Sequence, residues 1–249
     1  MEFSFTWLFA IVIGAVILVL AIYAATKIIG GGQTETATAA AKEIGVLLNP
    51  LETSFEEGTT NSISIATDTR IYNTCEDFGN FGNQKISTAQ KTFGKFSEPS
   101  VEVSFQNKYI FSEKYEEGKQ FYVFSKPFDF PFKVADLIYL SPANKKYCFI
   151  DAPEDIEKEL EELNQSNLMT KNCGGMEGII KVCFGTASGC DVGVSYNSGY
   201  ISKNGTRLYF ETDALMYAAI FSDKDIYECQ AKRLIMRTGE LANIYGKKA

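Results

Sequence analysis

The stretch FSFTWLFAIVIGAVILVLAIYAAT, residues 3–26, decides how this chain is organised. It holds 24 residues and no charged side chain. As an α-helix it would be about 36 Å long, enough to cross a hydrocarbon layer of about 30 Å. A helix is the form expected there, because backbone polar groups in lipid must be paired within the segment. The sequence therefore predicts a transmembrane anchor over residues 1–29, with the lipid bilayer as its partner through residues 3–26.

A cleaved secretory signal is the alternative interpretation of this stretch. Such signals have a basic start, an apolar centre of about 7–15 residues and a small-residue cleavage site. Residues 24–26 (Ala-Ala-Thr) offer such a site, but residues 1–2 (Met-Glu) carry no basic side chain and the apolar run is longer. Trp7 and Tyr23 lie toward its two ends, as aromatic residues do at membrane interfaces. We predict a retained, single-pass anchor.

Six cysteines bear on which side of the membrane holds the rest of the chain. All follow the anchor: Cys75, Cys148, Cys173, Cys183, Cys190 and Cys229. None forms C-x-x-C, and the chain has no histidine, so the usual zinc patterns are missing from the sequence. Scattered cysteines in even number fit disulfides formed in an oxidising compartment. Six reduced cysteines buried as small apolar side chains are the alternative.

The order of the predicted elements suggests how the cysteines pair. Cys183 and Cys190 lie on the two arms of a predicted hairpin in IIKVCFGTASGCDVGVSY. A short loop can bring their Cα atoms to a bridging distance. Cys148 ends a predicted strand and Cys173 follows the acidic helix that returns the chain, so these two should be neighbours. The remaining pair is Cys75, in the early strands, and Cys229, in the C-terminal helix. A bond between them would tie the ends of the domain together.

Two glycosylation acceptor sequences also favour an outward-facing domain. They place Asn164 in Asn-Gln-Ser and Asn204 in Asn-Gly-Thr. Lys27, the only basic residue at the flank of the anchor, weakly favours the opposite orientation. Long domains cross largely regardless of such charges. We therefore predict a cell-membrane protein whose C-terminal domain is extracytoplasmic.

A glycine hinge and an amphipathic helix are predicted over residues 30–50. Glycines 30–32 should end the first helix or make a hinge, since glycine is costly inside a helix. The segment QTETATAAAKEIGVLLNP follows and ends at Pro50. Its apolar positions recur at helical spacing: Ala37, Ala40, Ala41, Ile44, Leu47 and Leu48. We expect this apolar stripe to pack on the chain's own domain, with a neighbouring copy as the alternative.

Residues 51–249 predict an α+β domain that is mainly antiparallel, with C-terminal helices. Apolar and polar residues alternate around residues 63–65 and 101–105, as in half-buried strands. The remaining strands are predicted at residues 120–125, 134–140 and 146–150. Asn204-Gly205 between two alternating runs is a strong hairpin signal, because both residues tolerate positive φ. In KPFDFPF, residues 126–132, we expect a turn anchored in the core, with an exposed aromatic recognition loop as the alternative.

Three helices are predicted in the second half of the domain. Pro153 opens PEDIEKELEELN, whose acidic residues we interpret as a solvated face, with a cation site as the alternative. Residues 213–223 and 224–248 complete the chain as helical sequence. Basic residues of the last helix are expected to complement its dipole, with an anionic surface as the alternative. They are Lys232, Arg233, Arg237, Lys247 and Lys248.

The composition argues against several function classes. Without histidine, Ser-His-Asp and Cys-His catalysis and any histidine-ligated metal are excluded. The sequence has no nucleotide-binding glycine motif and no G-x-S-x-G. A formal net charge of −7 disfavours a general nucleic-acid function. A Ser-Lys dyad or a carboxylate pair leaves no spacing signature, but we expect no catalytic residue, no metal site and no cofactor.

The layout resembles that of type IV pilins and pilin-like proteins, with an apolar N-terminal helix, a following helix and a β-rich, disulfide-bearing head. Glu2 echoes the acidic residue near the start of such helices, whereas glycines 30–32 interrupt the continuous stem. The sequence is also similar to uncharacterised archaeal single-pass membrane proteins. The segments that carry this resemblance are FTWLFAIVIGAVILVLAIYA, KEIGVLLNPLETSFEEG, RIYNTC with FGNFG, FYVFSKPFDFPFKVADLIYL and LYFETDALMYAAIFSDKDIYEC.

From these observations we expect a membrane-anchored extracytoplasmic protein of the cell envelope that works by binding or assembly. Its partners would be further copies of the chain or other envelope proteins, with no nucleic acid. A pilin-like filament subunit is one alternative function. A ligand-sensing or hydrolytic ectodomain is the other.

Overall fold

The computed structural model describes residues 7, 9–26, 60–79, 81–100, 102–171, 173, 177–185 and 189–248. The predicted glycine hinge and amphipathic helix, residues 30–50, lie outside these described residues.

Helix α1 (Phe9–Thr26) lies within the apolar stretch that predicts the anchor. It is long and apolar enough to cross a membrane, and none of its residues is buried within the protein. Trp7 and Tyr23 are 64% and 60% exposed, so the aromatic residues near its ends also face outward. A core helix of a soluble domain buries one face, whereas α1 is apolar on every side.

The first sheet is built from the first half of the domain. Its strands are β1 (Thr60–Glu76), β2 (Asn83–Thr92), β3 (Lys95–Phe96), β4 (Val103–Phe105), β5 (Tyr109–Phe111), β6 (Tyr115–Asp129) and β7 (Lys133–Pro142). They are ordered β3-β2-β1-β6-β7-β5, and β4 also pairs with β2. All the pairings are antiparallel except that of β5 with β7.

The second sheet follows in the chain and is mixed. Its strands are β8 (Tyr147–Ile150), β9 (Leu168–Met169), β10 (Ile180–Phe184), β11 (Val192–Ser195), β12 (Tyr200–Lys203) and β13 (Thr206–Tyr209), ordered β13-β12-β11-β10-β8-β9. The helices of the domain are α2 (Glu154–Glu162), α3 (Asp213–Phe221) and α4 (Lys224–Lys248). The structure thus confirms the α+β class and the C-terminal helices.

The main core lies where both sheets meet the helices. Helix α3 is buried on nearly all sides, and Thr212 caps its start by accepting a hydrogen bond from the Leu215 amide at 3.3 Å. Phe221 of α3 lies 5.7 Å from Phe124 of the first sheet and 4.9 Å from Tyr147 of the second, measured between ring centroids. One continuous core therefore joins the two sheets into a single unit.

The first sheet also curls to enclose a smaller core on its other face. Alternate residues of β6 and β7 point to opposite faces, so Phe124 joins the main core and Val123 the smaller one. Strands β2 and β5, far apart in the sheet order, approach each other through side chains. Gln84 of β2 accepts from the Ile110 amide at 3.4 Å, and Asn73 of β1 also donates to the Ile110 carbonyl, at 3.2 Å.

The six cysteines form three disulfides, in the same pairs that the sequence predicts. The Cα atoms of Cys75 and Cys229 are 6.1 Å apart. Those of Cys148 and Cys173 are 5.9 Å apart, and those of Cys183 and Cys190 are 6.0 Å apart. The first bond joins the end of β1 to α4 and holds the C-terminal helix against the first sheet.

One predicted hairpin is wrong and one is confirmed. Strands β10 and β11 are parallel, because the chain between them returns to the start of β10. There the Asp191 amide donates to the Lys181 carbonyl at 3.0 Å, so Cys190 lies in the connection and not on a facing arm. Strands β12 and β13 do form the predicted hairpin, with Asn204 and Gly205 at φ 51° and 73°.

Candidate functional site

An apolar groove opens between the tip of the β6–β7 hairpin, the end of β13, the start of α3 and the middle of α4. Its volume is about 530 Å³, and its lining is predominantly apolar. The side chains that shape it are Phe128, Phe130, Tyr209, Leu215, Leu234 and Ile235. Glu211 and Thr238 supply polar atoms at its margin.

The hairpin wall of the groove comes from KPFDFPF, which is anchored in the core, as expected from the sequence, and also exposes one aromatic side chain. Phe128 is 6% exposed and anchors the hairpin in the main core. Phe130 is 52% exposed and stacks on Phe128 with ring planes 6° apart and centroids at 6.2 Å. The tip is closed by the Phe130 amide, which donates to the Phe132 carbonyl at 2.8 Å. A buried ring thus holds an exposed ring in a defined orientation.

The opposite wall of the groove is formed by helix α4, where one lining residue is buried in the core and the next is exposed. Leu234 is 1% exposed and belongs to the core, whereas Ile235, the next residue, is 71% exposed and lines the groove. Arg237 donates from Nε to the Val134 carbonyl at 2.7 Å and fixes the helix to β7. Further along, Phe132 and Tyr245 pack with ring centroids 4.8 Å apart. The groove therefore has walls that are tied to each other.

A buried arginine sets the position of the same helix from its other side. Arg233 donates from Nε to the Phe81 carbonyl and from Nη1 to the Lys108 carbonyl, both at 2.9 Å. Nη2 donates to the Gln106 carbonyl at 2.9 Å, and Nη1 also donates to Gln230 at 2.6 Å. The side chain has no exposed surface, and burial lowers the pKa of Arg233 from its usual value.

This arginine corrects the sequence-based interpretation of the basic residues of the last helix. Helix α4 ends at Lys248, so of the five basic residues only Lys247 and Lys248 lie in its last turn, where the helix dipole acts. Arg233 lies in the middle and bonds to the turns before β2 and before β5. Gly82 lies beside it, and a Cβ there would clash with the Glu76 carbonyl oxygen and lie 3.0 Å from the Arg233 side chain.

A charged cluster lies beside a second, smaller cleft. Lys145 contacts Glu113 at 2.7 Å and Glu116 at 3.1 Å. Burial raises the pKa of Glu116 to about 7, against the opposing effect of Lys145. Lys203 donates to the Ile220 carbonyl at 3.0 Å at the end of α3, and burial lowers the pKa of Lys203.

That cleft has a volume of about 290 Å³ and carries charges of both signs. Lys203, Asp223 and Asp225 line it together with Lys114. Lys114 is already engaged, because its Nζ lies 2.6 Å from Asp225 and its amide donates to Asp223 at 2.9 Å. The cleft is therefore a network of paired charges at the junction of β12, β13 and α4.

Of the residues singled out from the sequence, Asn204 lines the smaller cleft and Phe128 and Phe130 line the groove, whereas the others lie elsewhere. The disulfides are spread through the domain, and Asn164 and Asn204 are both exposed at turns of positive φ. The acidic side chains of α2 point in different directions, with Glu159 paired to Lys126 at 2.6 Å and Glu161 to Lys171 at 2.8 Å. Within the described ranges, no group of three acidic or cysteine side chains is placed to hold a metal ion.

Sequence reasoning missed the groove because its walls lie far apart along the chain. The aromatic residues of KPFDFPF were its only local signal. In comparisons with known proteins, no family model, no curated protein and no solved structure matches this chain.

Proposed function

We propose that this protein is a membrane-anchored extracytoplasmic component of the cell envelope that works by binding a polypeptide at the apolar groove. The observation that carries the proposal is the groove itself, with its exposed aromatic and aliphatic side chains on fixed walls. Binding or assembly suits such a lining, because the groove offers apolar contact area and few polar groups that could act on a substrate.

The shape of the groove fits a helix or an extended peptide with an apolar face. Amphipathic helices commonly dock by placing side chains spaced three or four residues apart into an apolar groove. Phe130 and Ile235 are exposed apolar side chains suited to be anchors of such a contact. Phe130 should also lose little entropy on binding, because its ring is already held in place. Phe128 beneath Phe130 supplies that rigidity.

The disulfides and the apolar helix support the proposed location. Disulfides form and persist in oxidising compartments outside the cytoplasm. Helix α1 precedes the disulfide-bonded domain in the chain, as it would in a single-pass protein with its C-terminal domain outside. Both sequon asparagines are exposed and therefore accessible to modification on that side.

Two variants of the full chain, each with one added cysteine, test the location and the groove in native membranes. Phe93→Cys reports on the side of the membrane, because Phe93 is 97% exposed on the β2–β3 turn. A maleimide that cannot cross membranes should label it in intact cells. Labelling only after permeabilisation would place the domain inside and refute the location.

Ile235→Cys reports on the groove, with Phe93→Cys as the matched control for access. If a polypeptide occupies the groove in the membrane, the thiol at position 235 should react at least tenfold more slowly than the thiol at position 93. After mild denaturation the two rates should become similar. Equal rates in native membranes would refute binding at the groove, because Ile235 is 71% exposed in the described structure. Peptide mapping without reduction checks that the three native disulfides remain intact in each variant.

The charged cluster favours a second function, a ligand-sensing or hydrolytic ectodomain. Glu116 and Lys203 have pKa values shifted toward neutrality beside a cleft, which is a feature of reactive or sensing sites. Lys203→Met should abolish binding of a small charged ligand at this cleft. In the double variant Lys203→Met with Ile235→Cys, the thiol at position 235 should stay protected.

A filament subunit is the other alternative. Regular filaments of extracted protein in electron micrographs would support it.

A further inference from the structure

We propose that the polypeptide in the groove is the chain's own amphipathic segment, residues 37–48. This inference rests on the proposed function only in that the groove binds a polypeptide, and it names that polypeptide. The segment lies between the anchor and β1, outside the described residues. Its placement follows from the path of β1, from the length of the intervening chain and from the spacing of its apolar residues.

The direction of β1 leads the preceding chain toward the groove. Strand β1 runs antiparallel to β6, and its first residue, Thr60, is paired with Phe124. Continuing that register, residue 56 would lie opposite Phe128, and residue 54 opposite Phe130. At about 3.3 Å per residue, these positions are about 13 Å and 20 Å beyond Thr60. The chain before β1 is thus directed to the end of the sheet where the hairpin wall of the groove stands.

The connecting chain is long enough for the segment to reach the groove of its own molecule. From Leu48 to Thr60 an extended chain spans up to about 40 Å, twice the distance from Thr60 to the hairpin tip. A short tether of this kind gives a local concentration in the millimolar range. A neighbouring copy would have to exceed that concentration to compete for the same groove.

The apolar stripe of the segment matches the groove in length. From Ala40 to Leu48 a helix rises about 12 Å, and from Ala231 to Gly239 the groove wall of α4 also rises about 12 Å. Ile44 and Leu48 are four residues apart in the sequence, so a helix would place their branched side chains on one face. The alanines that precede them allow the backbone of the segment to approach the groove closely. In such a helix Lys42 would fall on the face opposite the apolar stripe.

Engineered cysteine pairs in the full chain identify the occupant in native membranes. We expect Leu47→Cys with Ile235→Cys to cross-link under mild oxidation, and Ile44→Cys with Ile235→Cys covers a difference of one helical turn. Leu47→Cys with Phe93→Cys is the control pair and should not cross-link. Mapping of the unreduced protein should find the two engineered cysteines joined in the monomer band, with the native disulfides intact.

Each other outcome overturns the inference in a recognisable way. Joined cysteines in a dimer band would make a second copy the occupant. Protection of the thiol at position 235 without any cross-link to residue 44 or 47 would make another protein the occupant, and the proposed function would stand. A freely reactive thiol at position 235 would refute both.

A charge placed on the apolar stripe gives a measurement independent of cross-linking. In the Ile235→Cys background, Leu47→Glu should raise the rate of maleimide labelling at least tenfold. Lys42→Glu, on the opposite face, should leave the rate within twofold. Equal rates for these two variants would overturn the inference.

Discussion

Replacing Arg233 with methionine should destabilise the protein by about 3–5 kcal/mol. Methionine keeps most of the volume of the side chain and removes its donors. The carbonyls of Phe81, Gln106 and Lys108, each bonded at 2.9 Å, lose their hydrogen bonds from the guanidinium, as does Gln230 at 2.6 Å. The three carbonyls lie in two turns that the arginine holds against α4, and Gln230 lies on α4 itself.

The magnitude follows from the number of acceptors. A buried acceptor left without a donor costs about 1–3 kcal/mol. The bonds to Lys108 and Gln230 are buried and those to Phe81 and Gln106 are partly buried, so the four acceptors together give about 4 kcal/mol. The cation–π contact between Arg233 and Tyr109, 4.8 Å from the guanidinium carbon to the ring centroid, is lost as well. Methionine also removes the cost of burying the guanidinium charge, and this offsets part of the loss. A net loss of about 3–5 kcal/mol is a large part of the 5–15 kcal/mol typical of folded domains.

Urea unfolding of the full chain in detergent, followed by circular dichroism, measures the loss. Arg237→Met is the matched control, because Arg237 lies one turn later on α4 and donates to one carbonyl, that of Val134, at 2.7 Å. It should cost about 1 kcal/mol. If Arg233→Met cost no more than Arg237→Met, the arginine would not hold the two turns and the reasoning would be refuted.

Three further perturbations test other parts of the domain. Burial raises the pKa of Glu116 from 4.5 to about 7, so the stability it contributes is full below pH 4.5 and is lost as the pH rises through 7. Glu116→Gln should remove this loss of about 3 kcal/mol. If the urea midpoint changed equally between pH 5 and pH 8 in the variant and in the wild type, the prediction would be contradicted. Replacing Cys75 and Cys229 with serine should lower the free energy of unfolding by about 5 kcal/mol, and replacing Cys183 and Cys190 by about 2 kcal/mol, because the two bonds span 154 and 7 residues. Equal falls in melting temperature for the two double variants would disprove this ranking. Gly205→Ala should destabilise the protein by about 1 kcal/mol because its φ is 73°, whereas Gly239→Ala, inside α4, should stabilise it by up to about 1 kcal/mol; thermal melting should give shifts of opposite sign.

Local sequence signals predicted the parts of the fold that are decided locally. Asn204-Gly205 specifies its own backbone conformation, so the β12–β13 hairpin needs no distant contact to be recognised. The helix over Glu154–Glu162 was predicted from Pro153, which directly precedes its first residue. The Cys183–Cys190 pair was predicted correctly although the hairpin on which the prediction rested does not form, because these cysteines are only 7 residues apart in the chain.

Features that depend on contacts between distant parts of the chain could not be predicted from the sequence. A glycine-containing connection between two apolar runs fits either a hairpin or a parallel return, and the bond between Asp191 and Lys181 that selects the return has no signature. Arg233 resembles any helical arginine in sequence. Its burial depends on carbonyls contributed by residues 81 and 105–108, more than a hundred positions away. The groove was hidden for the same reason, since Phe130 and Ile235 meet only in the folded chain.

If helix α1 anchors the domain in a membrane, as proposed, the bond between Cys75 and Cys229 affects how long the domain stays there. The bond closes a loop that contains most of the folded domain, while α1 lies before Cys75. A single backbone cut anywhere inside this loop leaves both fragments covalently joined and therefore still attached to the bilayer. Shedding requires a cut before Cys75, or a cut inside the loop combined with reduction of the bond. In the proposed orientation, a nicked molecule would be retained on the cell surface together with whatever it binds.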